Sequence, residues 1–136
     1  MHIQYFNWLA NILKGDFGTS YTKKAPVTEL VNEAIAEYRS EHPEVTRNLY
    51  VAGALGPSNK SLSSGNITFE EMANTYYISA SGLLAGNIDI ILFETVVDTE
   101  SLKAAYSGLQ KAMKEYYYVP LMLSFALKST GTTFAG

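Results

Sequence analysis

Apolar positions occur along this chain in two patterns, as short continuous runs and as longer stretches with helical spacing. Three short runs are strand-like, at residues 49–55, 88–94 and 121–126. Two stretches with helical spacing separate them, at residues 69–84 and 99–113. Because strand, helix, strand, helix, strand is the order of parallel βαβ units, the pattern predicts an α/β fold with a parallel sheet.

The run at residues 88–94 is the one around which the others are arranged. Five of the six residues before Glu94 are apolar, which is typical of a parallel strand buried on both faces. Glu94 stands at the C-terminal end of this strand, where open α/β sheets and (β/α) barrels place their ligand sites. Glu94 is therefore the leading candidate for contact with a small ligand. The alternative is a carboxylate that caps the loop or the next helix.

The two helices between the strands have recognisable first residues. Thr68 and Glu71 have the spacing of a capping box, and Asp98 is predicted first as an N-cap and second as a substrate contact. The apolar positions of the first helix are Phe69, Met72, Ala73, Tyr76, Tyr77, Ala80, Leu83 and Leu84. Those of the second helix are Leu102, Ala105, Tyr106, Leu109, Ala112 and Met113.

Two further helices are predicted before the first strand. Residues 26–41 have Pro26 in the first turn, where its missing N–H has no cost. Their apolar face consists of Leu30, Val31, Ala34, Ile35 and Tyr38. Residues 3–14 are apolar nearly all round, so a helix there requires the rest of the chain or a membrane surface as its partner.

Composition excludes several classes of function. A chain of 136 residues is one domain by length, and a net charge of −3 makes nucleic acid an unexpected partner. The absence of cysteine removes thiol nucleophiles, disulfides and cysteine-ligated zinc. No run of about 18 apolar residues and no signal peptide is present, so a cytoplasmic protein without membrane contact is expected.

The N-terminal segment carries a motif of its own. Its residues are Trp8, Leu9, Gly15, Asp16, Gly18 and Ser20. This order resembles the peptide/nickel class of ABC-transporter permeases, over about residues 1–34. In that family the motif follows the first membrane-spanning helix. No such helix precedes or follows it here, so a transport function is not carried over.

A second and broader set of motifs occupies residues 36–136. Its main parts are residues 51–60, 66–71, 84–95 and 120–124. In this order they resemble the homocysteine-binding domain of cobalamin-dependent methionine synthase and the related homocysteine S-methyltransferases. The resemblance implies a (β/α)8 barrel with its site at the C-terminal ends of the strands, and a methyltransferase of methionine biosynthesis.

The resemblance also implies roles for particular residues. In the family, a zinc ion held by three cysteines converts the homocysteine thiol into the thiolate that attacks an activated methyl group, with cobalamin as the methyl carrier in methionine synthase. The glutamate of the family's Glu-Thr motif, which is Glu94 here, helps to hold the amino group of the substrate. Gly56, Ser58 and Asn59 match a motif near the substrate, although turn chemistry explains Ser58 and Asn59 without any ligand.

The departures from the family limit what is expected of this chain. It has no cysteine, His2 and His42 are expected at the surface, and three strands cannot close a barrel of about 250 residues. We therefore predict a permease-like segment at residues 1–35 joined to a partial barrel at residues 36–136. No catalytic residue, no bound metal and no activity in isolation are expected.

Two other functions stay open at this point. The chain could be a non-catalytic α/β fragment that associates with itself through open sheet edges. It could also be a fragment related to transport permeases, on the strength of residues 4–27 alone.

Overall fold

The computed structural model describes residues 27–135. The helix predicted at residues 3–14, the permease-like motif and His2 lie outside this range. The described elements are α1 (Val27–Glu41), β1 (Ala52–Leu55), α2 (Phe69–Ala85), β2 (Ile90–Val96), α3 (Thr99–Glu115) and β3 (Leu121–Phe125). Their order confirms the predicted succession of strands and helices.

The three strands form one parallel sheet in the order β1-β2-β3. Ala54 lies opposite Leu92, and Leu92 lies opposite Met122. Because every strand points the same way, the C-terminal ends of all three meet at one edge of the sheet. The predicted fold class is confirmed, since this α/β arrangement is consistent with part of a (β/α)8 barrel.

The central strand is buried on one face only, which corrects the expectation of burial on both faces. Ile91 and Phe93 are buried, whereas Ile90 and Leu92, which alternate with them, are only half-buried. Helices α2 and α3 pack on the face that carries Ile91 and Phe93. The strand also begins two residues later than predicted. Asp89, the residue before the strand, instead uses its carboxylate to accept the N–H of Val51, the residue before β1, at 2.7 Å.

Helices α2 and α3 pack against each other and supply most of the core. The capping box at the start of α2 is confirmed, because the Thr68 side chain accepts the Glu71 N–H and the Glu71 carboxylate accepts the Thr68 N–H. At the contact between the helices, a Cβ added to Gly108 would lie only 2.1 Å from the carbonyl oxygen of Ala73. The two backbones can therefore approach closely only because residue 108 has no side chain.

The inward face of α3 differs in part from the predicted one. Tyr106 is 43% exposed, although its spacing predicts a place on the apolar face. Ala104 and Gly108 are buried in addition to the predicted positions. Small residues face α2 because the helices are too close for an aromatic ring between them.

The segment after β3 is folded rather than a simple polar tail. Leu127 and Thr133 form an antiparallel bridge, and Gly131 turns the chain between them with a φ of +83°. The N–H of Ala135 then donates to the carbonyl oxygen of Val97. This hairpin, residues 127–133, therefore lies near the C-terminal end of β2. Among the described helices, none has the length and apolar character needed to cross a membrane.

Candidate functional site

A small cleft opens at the C-terminal ends of β1 and β2, and four of the five predicted site residues line it. These residues are Gly56, Ser58, Glu94 and Asp98. We call this space the Glu94 cleft. Its volume is about 50 Å³, which is room for a few water-sized groups rather than for a large ligand. Asn59 is exposed in the same loop and does not line the cleft.

Glu94 presents an exposed carboxylate beside a residue that has no side chain. Its Oε1 atom would lie 3.8 Å from a Cβ built on Gly56. Among the described hydrogen bonds and ion pairs, no protein group binds this carboxylate. Glu94 is therefore available to a ligand that approaches from the open side of Gly56.

An irregularity in β2 sets the direction of Glu94. Thr95, the next residue, has a φ of +56°, and the pairing with β3 shifts register between Phe93 and Val96. A β-branched residue in the left-handed region is a genuine outlier, and bulges of this kind often lie next to active sites. As a result, Glu94 and Thr95 are both exposed, and Val96 takes the buried position that Thr95 would have in a regular strand.

Tyr76 holds the turn after β1 through a hydrogen bond to its backbone. Its hydroxyl donates to the carbonyl oxygen of Gly56 at 2.8 Å, and its ring packs edge-on against Phe93 with 5.6 Å between the ring centroids. Burial raises the pKa of Tyr76, although a backbone hydrogen bond with Ser58 acts in the opposite direction. Ser58 itself accepts the Lys60 N–H at 3.1 Å, as expected for a turn residue.

Asp98 is buried and fully occupied by protein donors. It is 4% exposed and caps α3 by accepting the Glu100 N–H at 3.0 Å, which confirms the predicted N-cap. Its other hydrogen bonds come from the hydroxyl groups of Ser61, Ser63 and Ser101 at 2.5, 2.8 and 2.6 Å and from the Ser63 N–H at 3.3 Å. These bonds attach the serine loop (residues 60–67) to the start of α3.

The same bonds determine how the Asp98 carboxyl titrates. Burial alone would raise the pKa of Asp98, but the hydrogen bonds from Ser101, Ser61 and Ser63 outweigh it and hold the pKa well below its usual range. The carboxylate stays charged with five donors around it, so it has little capacity left for a ligand. Contact between Asp98 and the substrate stays a prediction. The five hydrogen bonds that Asp98 already accepts argue against it.

The cleft includes polar residues that the sequence analysis did not select. Lys60, Ser61 and Ser101 all line it. Lys60 directly follows Ser58 and Asn59. Its place in the loop after β1 could therefore have marked it as a candidate site residue. No sequence pattern linked the serines to Asp98, which is more than thirty residues away from Ser61 and Ser63 along the chain.

The comparison with known families agrees with this geometry. The sequence matches the model of the family described as homocysteine S-methyltransferase over residues 3–136. The chain belongs to this family. Among curated proteins, it is similar to the methionine synthase of Mycobacterium leprae (strain TN), with 34% identity over 88 residues. That match covers 64% of the chain but only 7% of the length of the relative.

The match to the homocysteine S-methyltransferase family begins at residue 3, so it runs through the segment that resembles transport permeases. The comparisons give the permease resemblance no support. The division into residues 1–35 and 36–136 stays a prediction.

The zinc ion of this family does not fit the residues of this chain. The sequence contains no cysteine, and the described residues hold no group of three His, Asp or Glu side chains that could bind a metal. His42 lies outside the cleft, with its Nδ1 atom 3.2 Å from the Glu44 carboxylate.

Proposed function

We propose that this chain supplies the amino-acid-binding part of a homocysteine S-methyltransferase site, in which Glu94 holds the α-amino group of a homocysteine-like substrate. The observation that carries the proposal is the unpaired carboxylate at the C-terminal end of the central strand. It belongs to a chain whose family membership is shown.

The surroundings of Glu94 suit an ammonium ligand. An ammonium group needs an anionic acceptor and open space around it. Gly56 leaves space beside the carboxylate, because a Cβ on residue 56 would already lie 3.8 Å from Glu94 Oε1. Gly56 is in turn held in place by the Tyr76 hydroxyl. We assign Ser58 and Asn59 to the rim of the site, where the exposed turn would meet the ligand.

The proposal concerns binding and leaves the methyl transfer to groups outside the described cleft. A thiol with an ordinary pKa of about 8.5 is mostly protonated at neutral pH, so methyl transfer requires a group that removes this proton. The Glu94 cleft holds no cationic metal site that would do so. The methyl donor, including cobalamin, is likewise outside the proposal.

A binding titration tests this function directly. L-Homocysteine kept reduced is added to the ¹⁵N-labelled protein, and the affinity is measured from NMR shifts for the natural chain and for Glu94→Gln. A hydrogen bond between charged groups contributes about 1.5–3 kcal/mol when it is shielded from water and less when it is exposed. Because the Glu94 carboxylate is exposed, we expect Glu94→Gln to weaken binding about five- to tenfold.

The matched control is Glu70→Gln, which removes an exposed carboxylate outside the cleft. It should leave the affinity unchanged. Equal affinities for the natural chain and for Glu94→Gln would contradict the proposal.

Self-association is a second candidate function, and exposed apolar side chains favour it. The side chains around β3 and the hairpin that are 42–60% exposed are Met122, Leu123, Phe125, Leu127 and Phe134. Within the described residues, the outer edges of β1 and β3 pair with no other strand. We propose that a second copy of the chain covers these edges. Sedimentation velocity should then show mass increasing with concentration, whereas a single monomeric species at all concentrations would exclude it.

A further inference from the structure

The Glu94 cleft contains a second charged side chain to which no role has been given. Its charged lining residues are Lys60, Glu94 and Asp98. Asp98 is already bound by five protein donors. Lys60 and Glu94 are therefore the charges in this cleft that can meet a ligand, and they have opposite signs.

Neither of these two charges is paired with another charge in the described part of the chain. The ion pairs found there are His42 with Glu44 and Lys103 with Glu100. The Lys60 ammonium does act at a distance on Glu71. The pKa of Glu71 is lowered first by the Thr68 backbone and hydroxyl hydrogen bonds, and to a smaller degree by the charge of Lys60. Lys60 and the start of α2, where Glu71 lies, are thus within electrostatic reach of each other.

The backbone around Lys60 is held although its side chain is exposed. The Lys60 N–H donates to Ser58 Oγ at 3.1 Å, and the next residue, Ser61, donates its N–H to Asn66 Oδ1 at 2.9 Å. The Ser61 hydroxyl is also bound by the buried Asp98. The stem of the lysine side chain therefore starts from a fixed point, which reduces the entropy lost when it binds an anion.

We propose that Lys60 binds the carboxylate of the substrate, so that the cleft recognises a zwitterionic α-amino acid with Lys60 at the carboxylate and Glu94 at the ammonium. This inference rests on the proposed function and assigns Lys60 a specificity-determining role in the same site. A cleft of about 50 Å³ matches the charged head of an amino acid, while the rest of the ligand extends out of it. The pair of charges also selects against ligands that carry only one of the two groups.

Three probes separate the two contacts. L-Homocysteine carries both groups, 3-aminopropane-1-thiol lacks the carboxylate, and 4-mercaptobutanoate lacks the amine. For the natural chain we expect homocysteine to bind about five- to tenfold more tightly than either analogue, since both contacts are partly exposed to water. Lys60→Gln should abolish the preference over 3-aminopropane-1-thiol and keep the preference over 4-mercaptobutanoate. Glu94→Gln should do the reverse.

Two control variants complete the experiment. Lys60→Arg keeps the positive charge and should keep most of the preference for the carboxylate. Lys114→Gln removes an exposed charge outside the cleft and should change none of the affinities. The NMR spectrum of each variant checks that the fold is retained.

The outcomes distinguish the two proposals. If homocysteine binds and Glu94→Gln weakens it, but Lys60→Gln leaves the preference for the carboxylate unchanged, the role of Lys60 is overturned and the proposed function stands. If Lys60→Gln weakens the binding of all three probes equally, the lysine does not recognise the carboxylate and the inference is again wrong. If the natural chain does not bind homocysteine, both proposals are overturned.

Discussion

Replacing Asp98 with asparagine tests whether this residue stabilises the site as a buried anion. The asparagine side chain would keep one acceptor oxygen of similar shape and lose the negative charge. Its NH₂ group would then face donors that now bind Oδ2, among them the Ser63 N–H. Hydroxyl groups can rotate to accept from an amide, but a backbone N–H cannot.

The expected loss follows from the number and kind of these bonds. Hydrogen bonds to a charged group contribute about 1.5–3 kcal/mol each, against about 0.5–1.5 kcal/mol between neutral groups. Three serine hydroxyls bind Asp98, so the loss of about 1 kcal/mol for each predicts that Asp98→Asn lowers the free energy of unfolding by about 3 kcal/mol. For a chain of 136 residues, this corresponds to a Tm lower by about 10 °C.

Urea unfolding followed by circular dichroism measures this difference. Glu100→Gln is the matched control, because it removes a carboxylate in the same turn of α3 that forms only an exposed ion pair with Lys103. Its effect should stay below about 1 kcal/mol. If Asp98→Asn costs no more than Glu100→Gln, then the buried bonds do not stabilise the fold as argued.

The low pKa of Asp98 gives the same experiment a pH dependence of known sign. The pKa is lower in the folded protein than in the unfolded chain, where it is about 3.9. The stabilisation is therefore complete above about pH 4 to 5 and is lost as the pH falls towards the folded pKa. The natural chain should lose more stability than Asp98→Asn between about pH 5 and pH 3. Parallel losses would refute this assignment.

Two further substitutions test the packing and the bulge. Gly108→Ala should lower the free energy of unfolding by about 2 kcal/mol, although alanine favours helix, because its Cβ would meet the backbone of Ala73 and force α2 and α3 apart. The exposed neighbour variant Ser107→Ala should be neutral or slightly stabilising in the same urea titration, and an equal result for both would contradict the close contact. Thr95→Gly should raise the free energy of unfolding by up to about 1 kcal/mol, because glycine adopts the φ of +56° without strain; a clear loss would show that the Thr95 side chain contributes more than its backbone costs.

Much of the fold could be predicted because its signals are local. The capping box needs only Thr68 and Glu71, and the N-cap needs only Asp98 and the residues that follow it. The order of strands and helices follows from the spacing of apolar residues, and Glu94 could be selected because it ends the central strand. The family resemblance over residues 36–136 likewise depended on motifs read in order along the chain, and the family is confirmed.

The other features of the site depend on groups that are far apart in the sequence and meet only in the folded chain. The anchoring of the serine loop to Asp98 joins residues more than thirty positions apart, and no periodicity in the sequence encodes such a contact. The bulge at Thr95 arises where β2 must pair with β3 and still bury Val96. Lys60 could be placed in the same cleft as Glu94 only after the ends of β1 and β2 had been brought together. Local sequence patterns therefore predict the helices, the strands and the carboxylate at the strand end, whereas the packing of distant segments determines which other charge lines the same cleft.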